Sequence, residues 1–424
     1  MRIVDYKDKE AVRRLVEREA VDLQPVFEAV EEVIRDVRKE GDAALFKYTR
    51  KFDGFRLTAQ SLRVSQKEVE AAYSKADASF VKALKHAKKN IELFHGKQFK
   101  NIKKTWSIET EKGVVITEKT SPLKSIGAYV PGGRASYPST VLMTCIPARV
   151  AGVERVVVTS PPQVSDVILV ACDICGVNEI YGLGGAQAVA ALAYGTRSIK
   201  KVDKIVGPGN KYVTAAKLLV FGSVDIDMPA GPSEVLIIAD SSADAKLIAA
   251  DILAQAEHDP DAQCIIVTDS QGLVQKTGRE IEAQTKGLAR KEIIKKSLGS
   301  ACAVITKDME EAAEFANEYA PEHLEIIAKD ACMISDKVRN AGAVFVGEYA
   351  PVAAGDYASG GNHVLPTGGA ARFSSALGVR DFLRSYCVQK IGRDGLSNLA
   401  ETIDAIARAE SLDAHSMAVK KRFE

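Results

Sequence analysis

The chain has 424 residues, 46% apolar and 27% charged, and its 57 basic and 56 acidic side chains leave a net charge of +1. That is enough chain for two or three domains with real cores, and so even a charge balance argues against a nucleic-acid or membrane surface spread over the whole molecule. Residues Met1 to Glu10 are charged from the start and lack the apolar core of a signal peptide, no run of about 18 apolar residues offers a membrane span, and seven scattered cysteines fit a reducing compartment, so the cytoplasm is the expected location.

The first ~100 residues read as helical. Between Glu10 and Lys39, Val12, Leu15, Val26, Val30, Val33 and Val37 recur at mixed spacings of three and four among many charges; Gly41 and Gly54 interrupt the pattern, and a second helical stretch runs from Gln66 to Phe94. His86 and His95 lie here and read as solvated or packing histidines. From about Gly113 short β-branched runs alternate with helical ones: Arg155–Thr159, Val164–Cys175, Glu179–Tyr181 and Ala186–Tyr194. A second series follows, with strand Val235–Ala239, helix Ala243–His258, strand Cys264–Thr268, strand Ala303–Thr306, a helix near Met309–Tyr319, and strands Leu324–Ala328 and Ala343–Val346. Such alternation predicts βαβ units and mainly parallel sheets, here two doubly wound α/β units. After about Phe382 the chain reads as a helical tail or small domain. Cys172 and Cys175 form a C-x-x-C inside an apolar stretch with no second pair nearby, which favours core packing over zinc or redox work.

Two glycine turns lie in the first α/β unit, Gly182-Leu183-Gly184-Gly185 before the helix that contains Gln187, and Gly207-Pro208-Gly209-Asn210 before a helix from Lys211. Glycine lets backbone N–H groups approach a ligand at a helix N-terminus. Neither turn spells the full G-x-G-x-x-G fingerprint, so dinucleotide binding and a simple tight turn both remain open.

The polar signals gather in the second unit. Its helix ends at Gln255-Ala256-Glu257-His258 before Asp259-Pro260, where the approaching proline disfavours helical geometry. Gln255 and His258 are three apart and share a helix face, so amide and imidazole can reach one metal ion, although most such pairs are solvated. Ala320-Pro321-Glu322-His323 precedes a strand; its adjacent carboxylate and imidazole read as an acid/base pair or as a surface loop. Gly355-Asp356-Tyr357-Ala358-Ser359-Gly360-Gly361-Asn362-His363 is a long glycine-rich loop of the kind that carries function. Glu410 and His415 lie near the C-terminus. Four of the six histidines fall in these segments, and Gln, His, Asp and a further His make a borderline donor set suited to zinc.

Together these segments resemble the histidinol dehydrogenase family. The likeness is carried by Gly41-Asp42-Ala43-Ala44-Leu45 with Tyr48-Thr49, by Gly127-Ala128-Tyr129-Val130-Pro131-Gly132-Gly133, by Gly185-Ala186-Gln187-Ala188 and Gly207-Pro208-Gly209-Asn210, and by Asp227-Met228-Pro229-Ala230-Gly231-Pro232-Ser233-Glu234. Gln255 to His258, Ala320 to Leu324 and Gly355 to Pro366 continue it, in order and at family-like spacing from about residue 25 to His415; only Gly368-Gly369-Ala370-Ala371-Arg372 falls where members vary. The resemblance implies a four-electron oxidation of L-histidinol, through L-histidinal, to L-histidine, with NAD as hydride acceptor and one zinc ion per subunit. It implies zinc ligation by Gln255, His258, Asp356 and His415, and acid/base work by Glu322 and His323. It implies a substrate site of Ser233, Gln255, His258, His323, Asp356, Glu410 and His415, and NAD contacts from Tyr129, Gln187 and Asn210. It further implies a homodimer with shared active sites, Glu410 and His415 arriving from the partner, and no nucleic-acid or membrane partner. The alternatives are the same machinery acting on another small polar alcohol, or a zinc-binding structural or hydrolytic protein without a nucleotide.

The expected architecture is therefore two Rossmann-like doubly wound α/β domains with mostly parallel sheets, plus a helical N-terminal segment and a small helical C-terminal tail domain. The expected division is an N-terminal helical segment 1–24, a discontinuous α/β domain 25–125 and 234–377 carrying the metal and acid/base residues, an NAD-binding domain 126–233, and a C-terminal helical dimerisation segment 378–424.

Overall fold

The structure is a computed structural model that describes residues 1–18, 23–132, 136–229 and 231–424. Gly133 and Ala230 of the quoted motifs, and residues 19–22 of the first helical stretch, lie outside the described residues.

In chain order the strands are β1 (Arg2–Asp5), β2 (Thr105–Glu111), β3 (Val114–Pro122), β4 (Ser125–Tyr129), β5 (Arg155–Ser160), β6 (Glu179–Gly182), β7 (Lys204–Val206), β8 (Asp225–Ile226), β9 (Glu234–Ala239), β10 (Gln263–Thr268), β11 (Cys302–Ile305), β12 (His323–Ile327), β13 (Ala343–Val346) and β14 (Leu383–Ile391). The first sheet has the order β6-β5-β4-β7-β8 and the second β1-β11-β10-β9-β12-β13, and every pairing in both is parallel. Apart from β1 at the edge of the second sheet, each is doubly wound: the chain begins in the middle, at β4 or β9, builds outward to one side, then returns to build the other. Runs such as Val156-Val157-Val158 and Val235-Leu236-Ile237-Ile238 are fully buried because helices cover both faces.

The expected α/β alternation is present, with two strands where helix was expected. Arg2–Asp5 is a strand that pairs with β11 at the edge of the second sheet, and Leu383–Ile391 pairs antiparallel with β3 in a three-stranded sheet with β2. β1 is four residues long with a single buried side chain, and β14 is almost wholly exposed, so neither shows the apolar alternation of a half-buried strand. The helices between residues 24 and 100 also pack differently from the expected grouping of 25–125 with 234–377. Val26, Val30, Val33, Leu45 and Tyr48 bury against Val157, Val189 and Leu192 of the first unit, and Leu84, Ala87 and Ile91 join a core with Leu142, Ile146 and Ile168. An amphipathic helix states that it covers a sheet, not which one.

Local chemistry sets the boundaries. Ser65 and Glu68 form a capping box at the helix Gln66–Lys75, Gly41 (φ 60°) ends the helix Gln24–Glu40, and Gly54 in the left-handed region ends Asp42–Asp53. His95 is a packing residue, buried with Nδ1 2.9 Å from the Ile91 carbonyl, and His86 is exposed. Cys172 and Cys175 lie in the apolar core with Cys145, and burial pushes both thiols well above the ordinary range, as core packing requires. Among the described residues no helix is long and apolar enough to cross a membrane.

Gly207 follows β7 with φ 105°, and a Cβ there would meet the Tyr129 carbonyl oxygen at 2.2 Å. Gly207→Ala therefore adds backbone strain to a clash and should cost at least about 1–3 kcal/mol. Gly278 lies inside the helix Gln271–Thr285, where a Cβ would meet nothing within 4 Å. It should instead gain about 0.5–1 kcal/mol as Ala. Denaturant unfolding of the two variants should move in opposite directions.

Candidate functional site

Two places in this fold gather chemistry. The first is the switch point of the first sheet, where the strand order reverses between β4 and β7. In open α/β sheets the crevice beyond the carboxyl ends of such strands is the usual ligand site. Tyr129 closes β4 and is buried; its hydroxyl accepts the Gly185 N–H at 3.1 Å, and its backbone packs on Gly207. It thus joins both glycine turns. Gln187, in the first turn of the helix Gly185–Tyr194, is 1% exposed with both amide atoms lacking a partner. Buried polar atoms are almost always paired, so an orphaned amide at a helix N-terminus marks where a ligand is expected. Asn210 caps the helix Lys211–Val220, its side-chain oxygen accepting from Tyr212 and Val213, and stays exposed. Beneath the second turn the buried Lys217 pairs with Asp227 and donates to the Gly207 carbonyl at 3.1 Å, while Asp227 accepts the Gly207 N–H at 2.7 Å.

The second place is the amino edge of the second sheet. β9 and β12 lie side by side with His323 opposite Val235, so Glu234 and Glu322-His323 meet where both strands begin. The Glu322 carboxylate accepts the Glu234 N–H at 2.7 Å, and His323 Nδ1 donates to the Glu234 carbonyl at 3.0 Å. That bond keeps the Nδ1 proton in place, so Nε2 is the nitrogen that exchanges a proton. Nε2 is buried with no hydrogen-bond partner and lies 3.7 Å from the Asp356 carboxylate. Burial lifts the Glu322 pKa to about 7. Burial alone would lower that of His323, but the Glu322 and Asp356 carboxylates outweigh it and raise it to about 9.

Asp356 sits in the short helix Val352–Tyr357, and Gln255 and His258 at the end of the helix Ala245–Ala256, which runs back toward the same edge. Gln255 is 3% exposed and its amide nitrogen has no partner. Burial lowers the His258 pKa against the pull of Asp356, while burial of Asp356 is outweighed by the nearby His323 and the other neighbouring imidazoles, which hold it ionised. Amide, neutral imidazole and carboxylate thus converge from separate stretches of chain. Ser233 immediately precedes Glu234 and is half-buried.

Glu410 and His415 are elsewhere. They lie on the exposed tail, at the end of the helix Arg393–Ala409 and the start of Asp413–Lys420, and neither is among the leading charges acting on His258, Glu322, His323 or Asp356. Within one chain His415 is therefore apart from His258 and Asp356, and no group of three or more His, Cys, Asp or Glu side chains suited to a metal occurs among the described residues.

Three features of this edge were not assigned a role from sequence. His363 is within the glycine-rich loop, and its Nδ1 lies 3.1 Å from the Asp356 carbonyl, facing the same charges as His258 and His323. Glu325 and Asp251 form a buried carboxyl pair behind the site, and Glu325 accepts the Val352 N–H at 2.7 Å, at the start of the helix that carries Asp356. The available signals were an acid in the apolar strand His323–Ile327 and an acid one turn before Gln255. The loop after Asp356 docks on the first unit, Asn362 donating to the Met143 carbonyl at 2.8 Å and Asn90 to the Ala358 carbonyl at 2.8 Å.

Burial lifts Glu325 to about 8, with Asp251 beside it. A carboxyl whose folded pKa lies above its unfolded value contributes stability that is full below about 4.3 and lost as pH rises through the folded value. Relative to the parent, Glu325→Gln should therefore gain stability as pH rises from 5 to 8.5. Denaturant midpoints across that window check the sign; a constant difference would leave Glu325 ionised throughout.

The chain matches the family model described as histidinol dehydrogenase over residues 16–423. It is 48% identical over 416 residues to a histidinol dehydrogenase of Methanosarcina mazei, covering 97% of this chain and 95% of that protein. It is 50% identical over 414 residues to a histidinol dehydrogenase of Caldanaerobacter subterraneus, covering 97% and 95%. The crystal structure of histidinol dehydrogenase from Elizabethkingia anophelis superposes with a TM-score of 0.91 at 40% identity, covering 100% of this chain and 98% of that one.

Proposed function

The chain belongs to the histidinol dehydrogenase family and oxidises histidinol in histidine biosynthesis, and from that premise we propose how its residues divide the work. The observation that carries the proposal is the meeting of Glu322, His323, Gln255, His258 and Asp356 at one sheet edge, with buried donors left unpaired.

Gln255, His258 and Asp356 would hold zinc, with His415 of a second copy as fourth ligand. The donor chemistry fits: nitrogen and oxygen ligands, a histidine that burial keeps neutral, a carboxylate held ionised, and a buried amide whose oxygen can ligate. Zinc, when bound, supplies a fixed dication that anchors nitrogen atoms of the substrate and balances Asp356. Ser233, His323 and Asp356, with Glu410 and His415 from the second copy, would line the substrate.

Removing hydride from an alcohol carbon requires loss of the hydroxyl proton, and His323 Nε2, buried and oriented through Nδ1, is placed to accept it in the neutral ring, the form that a dication balancing the Asp356 charge would favour. Glu322, whose pKa near 7 lets it take and return a proton, would activate the water that adds to the aldehyde before the second oxidation. The protein's part toward NAD is position, through Tyr129, Gln187 and Asn210 at the switch point of the first sheet. Gln187 fits that part because both its amide atoms are orphaned and buried.

The tail supports a shared site. Trp106 and Ile108 on one face of the three-stranded sheet, Tyr386 and Val388 on the other, and Ile406, Leu412 and Met417 of the tail helices are 39–56% exposed in one chain. Exposed apolar side chains on the element that carries Glu410 and His415 fit a tail that packs on a second copy.

Incubated with zinc, NAD and L-histidinol, the enzyme should form two NADH per histidinol consumed. One would mean that the aldehyde escapes, and none would refute the assignment. Shared sites give a second test. His258→Ala and His415→Ala homodimers should both be inactive and low in zinc, while subunits unfolded and refolded together should recover about a quarter of parental activity, since half the dimers are hybrids with one intact site of two. Hybrids that stay inactive would place both ligands on one chain.

A further inference from the structure

We propose that Arg18 and Glu234 form a buried positioning clamp that sets the orientation of Glu322 and His323. The inference rests on reading those two residues as the acid/base pair.

Arg18 comes from the N-terminal arm, far from the site in sequence, yet its guanidinium is buried against β9. Nε donates to Glu234 Oε1 at 2.6 Å and Nη2 to Oε2 at 2.8 Å, a bidentate fork between side chains only 10% and 3% exposed. The remaining donors go to the turn ahead of β12: Nη1 to the Tyr319 carbonyl at 2.7 Å and Nη2 to that of Ala320 at 3.4 Å. The guanidinium also lies 3.6 Å over the Tyr319 ring.

That turn is strained. Ala320 has φ 52°, a left-handed conformation uncommon for a residue with a Cβ. Two residues later the chain delivers Glu322 and His323. Glu234 meanwhile receives the Gly368 N–H on Oε1 at 3.2 Å, offers its backbone N–H to Glu322 and its carbonyl to His323. One residue thus holds both members of the catalytic pair by its backbone, and is itself held by its side chain. Arg18 ties that residue to the turn from which the pair emerges.

An ion pair this deep is an expensive way to gain stability, since desolvating both charges offsets most of their attraction. Its value lies in placement. Only a planar fork with donors left over can grip a carboxylate and two carbonyls at once, and lysine cannot reproduce it. Arg18 and Glu234 touch neither substrate nor cofactor in this reading; they are positioning residues, acting through Glu322 and His323.

Removing one partner strands the other charge, so the decisive variant removes both: Arg18→Met/Glu234→Gln, compared with Arg18→Lys, Glu322→Gln and His323→Asn. Each is measured for kcat, KM for L-histidinol, zinc content, melting temperature and the pH dependence of kcat. The double variant should fold with full zinc, keep KM within about threefold, and lose about 10- to 100-fold in kcat. Its acid limb should move, and Arg18→Lys should recover part of the loss. Adding Glu322→Gln to the double variant should cost less than it costs the parent, because both act on one group. Parental kcat and pH profile in the double variant would overturn the clamp. So would parallel losses of kcat, KM and melting temperature with an unmoved pH profile, the mark of a merely structural pair. If Glu322→Gln and His323→Asn themselves turn over at parental rates, the acid/base reading fails instead, a result distinguishable from failure of the clamp.

Discussion

The register between two parallel strands governs this site. Because β12 is set against β9 with His323 opposite Val235, the N–H and C=O of Glu234 at the strand start meet a carboxylate and an imidazole. The backbone groups of one strand residue become the means of orienting two ionisable side chains. A slip of one residue would turn Glu322 and His323 to opposite faces from those they now occupy. The apolar residues that follow, Leu324, Ile326 and Ile327, pack against the cores on either side of the sheet and make such a slip costly.

Burial gives that arrangement its chemistry. Four acids, Glu234, Glu322, Glu325 and Asp356, lie within or beside one buried edge, with His258, His323 and His363 among them. Charges of one sign cannot share a low-dielectric volume, so the structure resolves the conflict group by group: Glu234 is paired with Arg18, Glu325 is lifted to about 8, Glu322 is lifted to about 7, and Asp356 stays ionised among imidazoles. The separation of these carboxyls by environment rather than by residue type allows one to accept protons while another carries a permanent charge.

Much of this was legible in the sequence, for reasons that also explain the omissions. Buried parallel strands are near-continuous apolar runs, so Val235–Ala239 and Arg155–Thr159 announced themselves, and any polar residue beside such a run stood out: Glu322-His323, Gln255 with His258, Asp356 in its glycine loop. Arg2–Asp5 and Leu383–Ile391 did not, because one is four residues long and the other exposed, and a strand without an apolar face leaves no period to read. Arg18 was invisible for a different reason. In a stretch crowded with arginine and glutamate nothing marks the one arginine that leaves the surface to meet Glu234. Its role depends on a long-range contact that local pattern does not encode. The packing of residues 24–100 on the first sheet was hidden in the same way.

The two sheets use opposite ends of the same architecture. In the first, the residues that suit a nucleotide lie beyond the carboxyl ends of β4 and β7, where helix N-termini and glycine turns offer N–H groups to an anion. In the second, the proposed acid/base pair lies at the amino ends of β9 and β12, where the helix Ala245–Ala256 finishes rather than begins. A helix C-terminus carries partial negative charge, and the helix Ala245–Ala256 ends at Gln255 and Ala256 beside an ionised Asp356. That edge therefore favours cations, as the other favours phosphate. The proposed substrate, bearing amine and imidazole, and the proposed cofactor, bearing pyrophosphate, would call for opposite fields, and a doubly wound sheet supplies one at each end of its strands. Docking the loop after Asp356 onto Met143 and Asn90 brings the Asp356 edge of one unit against the other, as the proposed reaction between two ligands would demand.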